Sequence, residues 1–208
     1  MGNSKMRSLI LVLAGVLCAT NTAIAADHTL GGPIADDPGK GGFSWTGAYV
    51  GVTYGSNSIV DYDPTFILGP TTFTGEVQKF GVHAGYQFDM GRFSIGAEYE
   101  YMPLDMQFVD NGGIGPIPVY VEDVHALRGR IGLNIDRVQI YALAGMSYYT
   151  VNVGFADWKP NVGVGFDIAV TDHVILGAQY SHGWYGEFDG QPFEGKFDQY
   201  AVRIGYKF

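Results

Sequence analysis

KFDQYAVRIGYKF, residues 196–208, closes the chain with Tyr200, Val202, Ile204, Tyr206 and Phe208 on one face and Gln199, Ala201, Arg203, Gly205 and Lys207 on the other. Strict alternation by itself fits any half-buried strand. A charged inner face, an aromatic-rich outer face and an aromatic last residue together fit the closing strand of a transmembrane barrel.

The same period runs back through the chain. Eight segments can be drawn, at 45–58, 76–88, 92–102, 122–135, 138–151, 158–170, 174–183 and 196–208. Their outward faces read Phe80, Val82, Ala84, Tyr86, Phe88 in the second, Phe93, Ile95, Ala97, Tyr99, Tyr101 in the third, and Val162, Val164, Phe166, Ile168 in the sixth. The opposite faces interleave polar residues with glycine. A soluble sandwich or lipocalin gives the same period with the wet and dry faces exchanged, so periodicity does not separate the two. The connections do: they alternate long and short, with both ends of the barrel segment on the short-turn rim, as in outer-membrane barrels. The expectation is an all-β fold, an eight-stranded antiparallel transmembrane β-barrel of up-and-down meander topology.

The other end of the chain agrees with this destination. Lys5 and Arg7 precede an apolar run from Leu9 to Leu17 and a small-residue cleavage site at Ala23-Ile24-Ala25, which reads as a signal peptide over 1–25. That run is about half the ~20 residues a spanning helix needs. Cys18, the single cysteine, lies within the signal segment directly after Leu17, whereas lipid attachment needs a small residue before it. The mature chain therefore has no disulfide and no thiolate metal site. Residues 26–44 are rich in Gly, Pro and Asp without periodicity and read as a flexible periplasmic leader. The barrel domain is 45–208. Losing the signal removes two of 12 basic and none of 21 acidic residues, so the formal charge goes from −9 to −11. Nucleic acid is excluded as a partner on that balance, because phosphate binding needs Lys and Arg.

The runs WTGAYVGVTYG (45–55), RGRIGLNIDRVQIYALAG (128–145), NVGVGFDIAVTDHVILGAQYSH (161–182) and AVRIGYKF (201–208) resemble the small "porin family", OmpA-like barrel proteins of Gram-negative outer membranes. The resemblance covers 45–208. It implies a surface-exposed outer-membrane barrel, and it likens the face of Tyr200, Val202, Ile204, Tyr206 and Phe208 to the signal read by the barrel assembly machinery during insertion. Full-length OmpA-type proteins continue into a peptidoglycan-binding domain; this sequence ends with its eighth segment, so that route of anchoring is not expected.

Eight strands enclose an interior just wide enough for side chains to fill. Arg92, Arg128, Arg130 and Arg203 are expected to face Glu98, Glu100 and Asp167 there in a paired network, because an unpaired charge in a water-poor lumen costs several kcal/mol. Such a network braces and plugs the barrel, or, if its pairs rearrange, forms the constriction of a narrow path. Trp45, Tyr101, Trp158 and Trp184 at segment ends fit aromatic girdles at the two membrane interfaces. Ser181-His182 with Glu187 and Asp189 is the only hint of a hydrolase, and strand neighbours point to opposite faces, so Ser181 and His182 do not converge on one proton. Catalytic residues, cofactors and metals are expected to be none: His83, His125, His173 and His182 are scattered without ligand spacing. Acidic residues on the long-loop side, including Asp61, Asp63, Asp105, Asp110, Glu122, Asp123, Asp157 and Glu194, suit a solvated rim, or oxygen ligands for divalent cations bridging to lipopolysaccharide.

The reading is a non-enzymatic outer-membrane protein that supports envelope integrity and presents surface loops. The alternatives are a passive channel for small solutes or ions, and loop-mediated adhesion or recognition of an unidentified surface ligand. Expected partners are outer-membrane lipid and lipopolysaccharide, with the assembly machinery during insertion.

Overall fold

The structure, a computed structural model, describes residues 42–65, 69–112, 115–190 and 192–208. They form eight strands: β1 (Gly47–Asp63), β2 (Thr71–Asp89), β3 (Phe93–Asp110), β4 (Gly115–Ile135), β5 (Val138–Val151), β6 (Ala156–Ala169), β7 (Val174–Tyr185) and β8 (Glu194–Lys207). Each pairs antiparallel with the next, and β1 also pairs with β8, which closes the sheet on itself. Closure gives every strand a neighbour on both sides, the condition for a sheet to stand in hydrocarbon. The eight-stranded meander barrel expected from the alternation is the fold. The proposed signal segment and most of the leader lie outside the described residues.

The outer wall is a belt of exposed apolar side chains, among them Val52, Phe80, Phe88, Ile95, Leu127, Ile131, Val164 and Phe166. Tyr200, Val202, Ile204, Tyr206 and Phe208 all stand on it. In water so large a patch would drive association; in a bilayer it is covered by acyl chains.

The strands are longer than the sequence reading allowed. β2, β3 and β4 hold 19, 18 and 21 residues, against the ~9 to 11 that a tilted strand needs to cross the hydrocarbon. Much of what was expected as long connections after 58 and after 102 is strand: β1 runs on to Asp63, β2 starts at Thr71, β3 runs on to Asp110 and β4 starts at Gly115. The reason is an inversion of face polarity. Within the membrane apolar residues point out and polar residues in. Beyond it, Ser56, Glu76, Gln78, Asp105 and Glu122 face outward, while Ile59, Phe73, Met102, Leu104, Met106, Phe108 and Val121 are buried inside. Register shifts between Pro103 and Met106 and between Val121 and Asp123 bend the wall along this upper section.

Trp45 is not a girdle residue. It is 1% exposed and plugs the periplasmic end, packed with Ala169, Ile175 and Phe43. Its backbone N–H donates to Asp89 Oδ2 at 2.9 Å and its indole N–H to the Asp136 carbonyl at 3.0 Å. A tryptophan preceding the first strand can lie at the interface only if the chain runs outward. Here two turn residues supply acceptors under the barrel and draw it inward.

Candidate functional site

The lumen holds two chemically opposite layers, a charged plug in its periplasmic half and an apolar cup in its extracellular half.

The plug is built on alternate inward positions of β3, β4, β6 and β8. Glu98 sits at its centre, 1% exposed. Its Oε2 accepts from Arg203 Nη2 at 2.5 Å and from the Tyr49 hydroxyl at 3.0 Å, and lies 3.6 Å from Arg130 Nη1. Its Oε1 is 3.6 Å from Arg128 Nη2. Arg128 also pairs with Glu100, and Arg130 with Asp167. The Arg130 guanidinium stacks 3.4 Å over the Tyr141 ring and donates to Gln139 Oε1 at 2.6 Å. Three buried guanidiniums thus face three buried carboxylates, so the layer is neutral, as an interior far from water requires.

Six of the seven residues expected in a lumen network therefore converge. Arg92 does not: it is exposed in the periplasmic turn before β3, and its backbone carbonyl accepts from Asn134 N. It shares the parity of Ser94, the first inward position, but lies one residue before the strand, which begins only at Phe93. Gln179 was expected on the inward face, but neither it nor Tyr49 and Tyr141 was expected in the network, where all three bond to its charged groups. Their signal lies in the register between strands: Tyr49 is paired with Gly85 and Tyr141 with Gly165. A Cβ on either glycine would come within about 2.5 Å of the tyrosine ring or hydroxyl, so each ring lies flat across a glycine and reaches into the lumen.

Two small gaps lie beside these groups. One gap of about 20 Å³ lies among Glu100, Arg128, Ser147 and Gln199, and one of about 10 Å³ among Tyr49, His83, Asp167 and Arg203. Each has the size that roughly one water occupies.

Met102 marks the change of layer. It is fully buried, and its sulfur receives Asn57 Nδ2 at 3.3 Å from the polar side. Above it, Leu104, Met106, Phe108, Val121, Val124, Tyr149 and Phe197 form a continuous apolar core. That core is hollow near the rim, with a cavity of about 200 Å³. Two carboxylates, Asp61 and Asp63, stand in its wall. The Tyr185 hydroxyl donates to Asp61 Oδ1 at 3.0 Å, and Asp63 Oδ1 accepts from Thr65 N at 2.8 Å. Asp61 lies well above Val52 and Tyr54, the upper lipid-facing residues of β1, where Ser56 and Ser58 already face outward. Burial pushes its carboxyl up to about 6, the Tyr185 hydrogen bond pulls against that rise, and Asp63 adds to it.

The remaining sequence candidates separate. Trp158 and Trp184 are exposed on the outer wall and Tyr101 is half-buried there, its ring tilted against that of His125 at 4.9 Å. Ser181 bonds inward to Gln199 Oε1, while His182 bonds outward to Asp198 Oδ1 at 2.7 Å. The two face opposite sides of the wall. Among the described residues no group of three or more His, Cys, Asp or Glu comes together to hold a metal.

A family model described as "Outer membrane protein beta-barrel domain" matches residues 9–208. The chain is 27% identical over 244 residues to the 31 kDa outer-membrane immunogenic protein of Brucella melitensis, covering 98% of this chain and 100% of that one. It is 25% identical over 213 residues to the 22 kDa outer membrane protein of Rhizobium leguminosarum bv. viciae, covering 94% and 92%. Among solved structures it resembles OprG from Pseudomonas aeruginosa, with 16% identity, a TM-score of 0.49 and coverage of 80% and 98%. It also resembles Neisserial surface protein A, with 14% identity, a TM-score of 0.48 and coverage of 78% and 98%.

Proposed function

The chain belongs to the outer membrane β-barrel domain family, and from that membership we propose that it is a closed barrel that braces the envelope and presents its extracellular rim, with no catalytic site. Its place is the outer membrane of a Gram-negative cell. The observation that carries the proposal is the plug: three arginines and three carboxylates fill the lumen, leaving gaps of about 20 and 10 Å³. A conducting path needs a continuous file of water, and single-water gaps flanking buried ion pairs do not make one. The opposed directions of Ser181 and His182 support the absence of hydrolase chemistry, since a nucleophile and its base must share a proton.

Planar-bilayer recording tests this, using protein purified from outer membranes whose gel mobility shifts on heating as a folded barrel's does. Silence is the expected result. Stable openings that change with Arg130→Ala or Glu98→Ala would replace the closed barrel with a second reading, a narrow passive channel. One feature favours that alternative: Nε of Arg128, Arg130 and Arg203 and Oε1 of Glu98 make no hydrogen bond among the described residues, so the pairs have other partners to move to. For partners we propose lipid and lipopolysaccharide around the belt, and the assembly machinery acting on the outward face of β8 during insertion.

A further inference from the structure

The apolar cup stands above the plug, at the extracellular end of the lumen. An upper core that served only to cap the barrel would be filled, because voids in protein interiors cost packing energy. This one keeps about 200 Å³ open. That exceeds the roughly 150 Å³ apolar cavity that accepts a benzene molecule. Its lining is aromatic and aliphatic, with Phe73, Phe108, Tyr149, Val151 and Phe188 as its principal walls.

The second observation is the pair of carboxylates. Asp61 and Asp63 follow the inward parity of β1 and are 9% and 7% exposed, in a wall otherwise apolar apart from tyrosine hydroxyls. Among the described residues no lysine, arginine or histidine forms an ion pair with either. Buried carboxylates are ordinarily paired. The groups facing Asp61 are Tyr185 from β7, Asp63 from β1, Phe73 from β2 and Gly195 from β8, and none of these is a cation. The Tyr185 ring lies across Gly195, where a Cβ would meet it at 2.5 Å, so the glycine lets Tyr185 hold one oxygen of Asp61.

The third is access. One wall of the cavity belongs to the connection between β7 and β8, where Phe188 and Phe193 cover it. This segment is fastened to β6 by side-chain contacts: Asp189 N donates to Asp157 Oδ2 at 3.0 Å, Lys159 donates to the Glu187 carbonyl, and Lys159 pairs with Asp157 at 2.6 Å. Asp189 and Gly190 carry φ of 50° and 75°, the turn that lets the segment fold back. These contacts lie outside the ladders that join β1 to β8.

We infer that the extracellular cup is a binding site for a small amphipathic amine, with an apolar body of about one ring in the cavity and its ammonium on Asp61 and Asp63. An apolar cavity that offers only acceptors at one wall selects a ligand with a cationic or donor-rich head and rejects anions.

Phenethylamine and its neutral counterpart phenethyl alcohol are suitable probes. Folded protein in phosphatidylcholine nanodiscs, with empty discs as the blank, avoids detergent whose alkyl chain would enter the cavity. A ligand-observed NMR titration should give saturable phenethylamine binding in the range of roughly 10 μM to 1 mM, as for small fragments. Asp61→Asn combined with Asp63→Asn should weaken the amine at least tenfold and leave the alcohol nearly unchanged. Filling the cavity with Val151→Phe or Ile59→Phe, whichever retains the heat-shifted mobility of a folded barrel, should abolish both. No saturable binding by the folded wild type overturns the proposal. Amine binding that survives the carboxylate changes overturns the assignment of the head group, and binding that survives cavity filling overturns the location.

Discussion

Arg203 Nη2 and Glu98 Oε2 lie 2.5 Å apart, joining β8 to β3 across the lumen from positions 105 residues apart in sequence. The contact ties strands that are not neighbours in the ladder, so it holds the barrel's cross-section as well as its charge balance. Glu98→Gln leaves three guanidiniums facing two carboxylates. Removing one partner of a buried pair costs about 3 to 5 kcal/mol, whereas replacing both with neutral groups costs far less. Glu98→Gln should therefore lower the urea midpoint of the folded barrel in lipid vesicles, and adding Arg203→Gln should recover more than half of the loss. A double variant no more stable than the single one would refute the account of the plug as a balanced network.

Gly165 and Gly129 make a second comparison. A Cβ at Gly165 meets the Tyr141 ring at 2.4 Å, whereas at Gly129 the nearest atom is 3.8 Å away. Gly165→Val displaces Tyr141 from beneath Arg130, with an overpacking cost of about 1 to 3 kcal/mol. Gly129→Ala faces lipid and should stay within about 0.5 kcal/mol of wild type. Urea midpoints of the two variants side by side decide it, and equal effects would remove the ring-on-glycine argument.

The barrel was legible because every membrane-crossing strand repeats one rule, apolar out and polar in, and β5 begins and ends where that rule predicts. The upper wall was not. Met102, Leu104, Met106 and Phe108 continue the period of two without interruption, but their outward neighbours become Pro103, Asp105 and Gln107. Judged by the membrane rule alone, the strand stops at Met102. The same four residues read as the inward face of a soluble barrel identify the cup. The plug carboxylates and arginines were found by parity. Trp45 and Arg92 were misplaced because each sits at a strand boundary, where parity has no meaning. The pairing of tyrosines with cross-strand glycines needs the register, which a single strand's pattern does not contain.

Asp61 makes the extracellular rim pH-sensitive. Its carboxyl is raised on folding, so the folded rim binds the proton more tightly than the opened one. The stabilisation from this group is full below the unfolded value of about 3.9 and is lost as pH rises through about 6. Opening of the rim should therefore grow between pH 4 and pH 7. Amide exchange at the upper ends of β1 and β7, corrected for intrinsic rates, measures it. Asp61→Asn should flatten the profile; an unchanged slope would place the titrating group elsewhere.

The three tryptophans report on the two ends of the barrel by different physics. Trp45 is 1% exposed, enclosed by Phe43 at 4.9 Å ring separation and by Ala169 and Ile175, beneath the lumen and away from the outer wall. Trp158 and Trp184 are each 45% exposed on that wall, Trp158 beside Tyr148 and Trp184 stacked on His182. Brominated acyl chains quench only an indole they touch, so lipid bromination should quench Trp158 and Trp184 and spare Trp45. A variant carrying Trp158→Phe and Trp184→Phe should emit at the blue end, nearly insensitive to brominated lipid and to aqueous quencher alike. Trp45→Ala should in turn remove that emission and destabilise the barrel by about 3 to 5 kcal/mol, the usual cost of emptying a buried aromatic site. Trp184→Ala, which vacates a surface bathed in lipid, should cost less. If brominated lipid quenched all three equally, Trp45 would belong to the girdle after all, and the periplasmic end of the lumen would lack its cap.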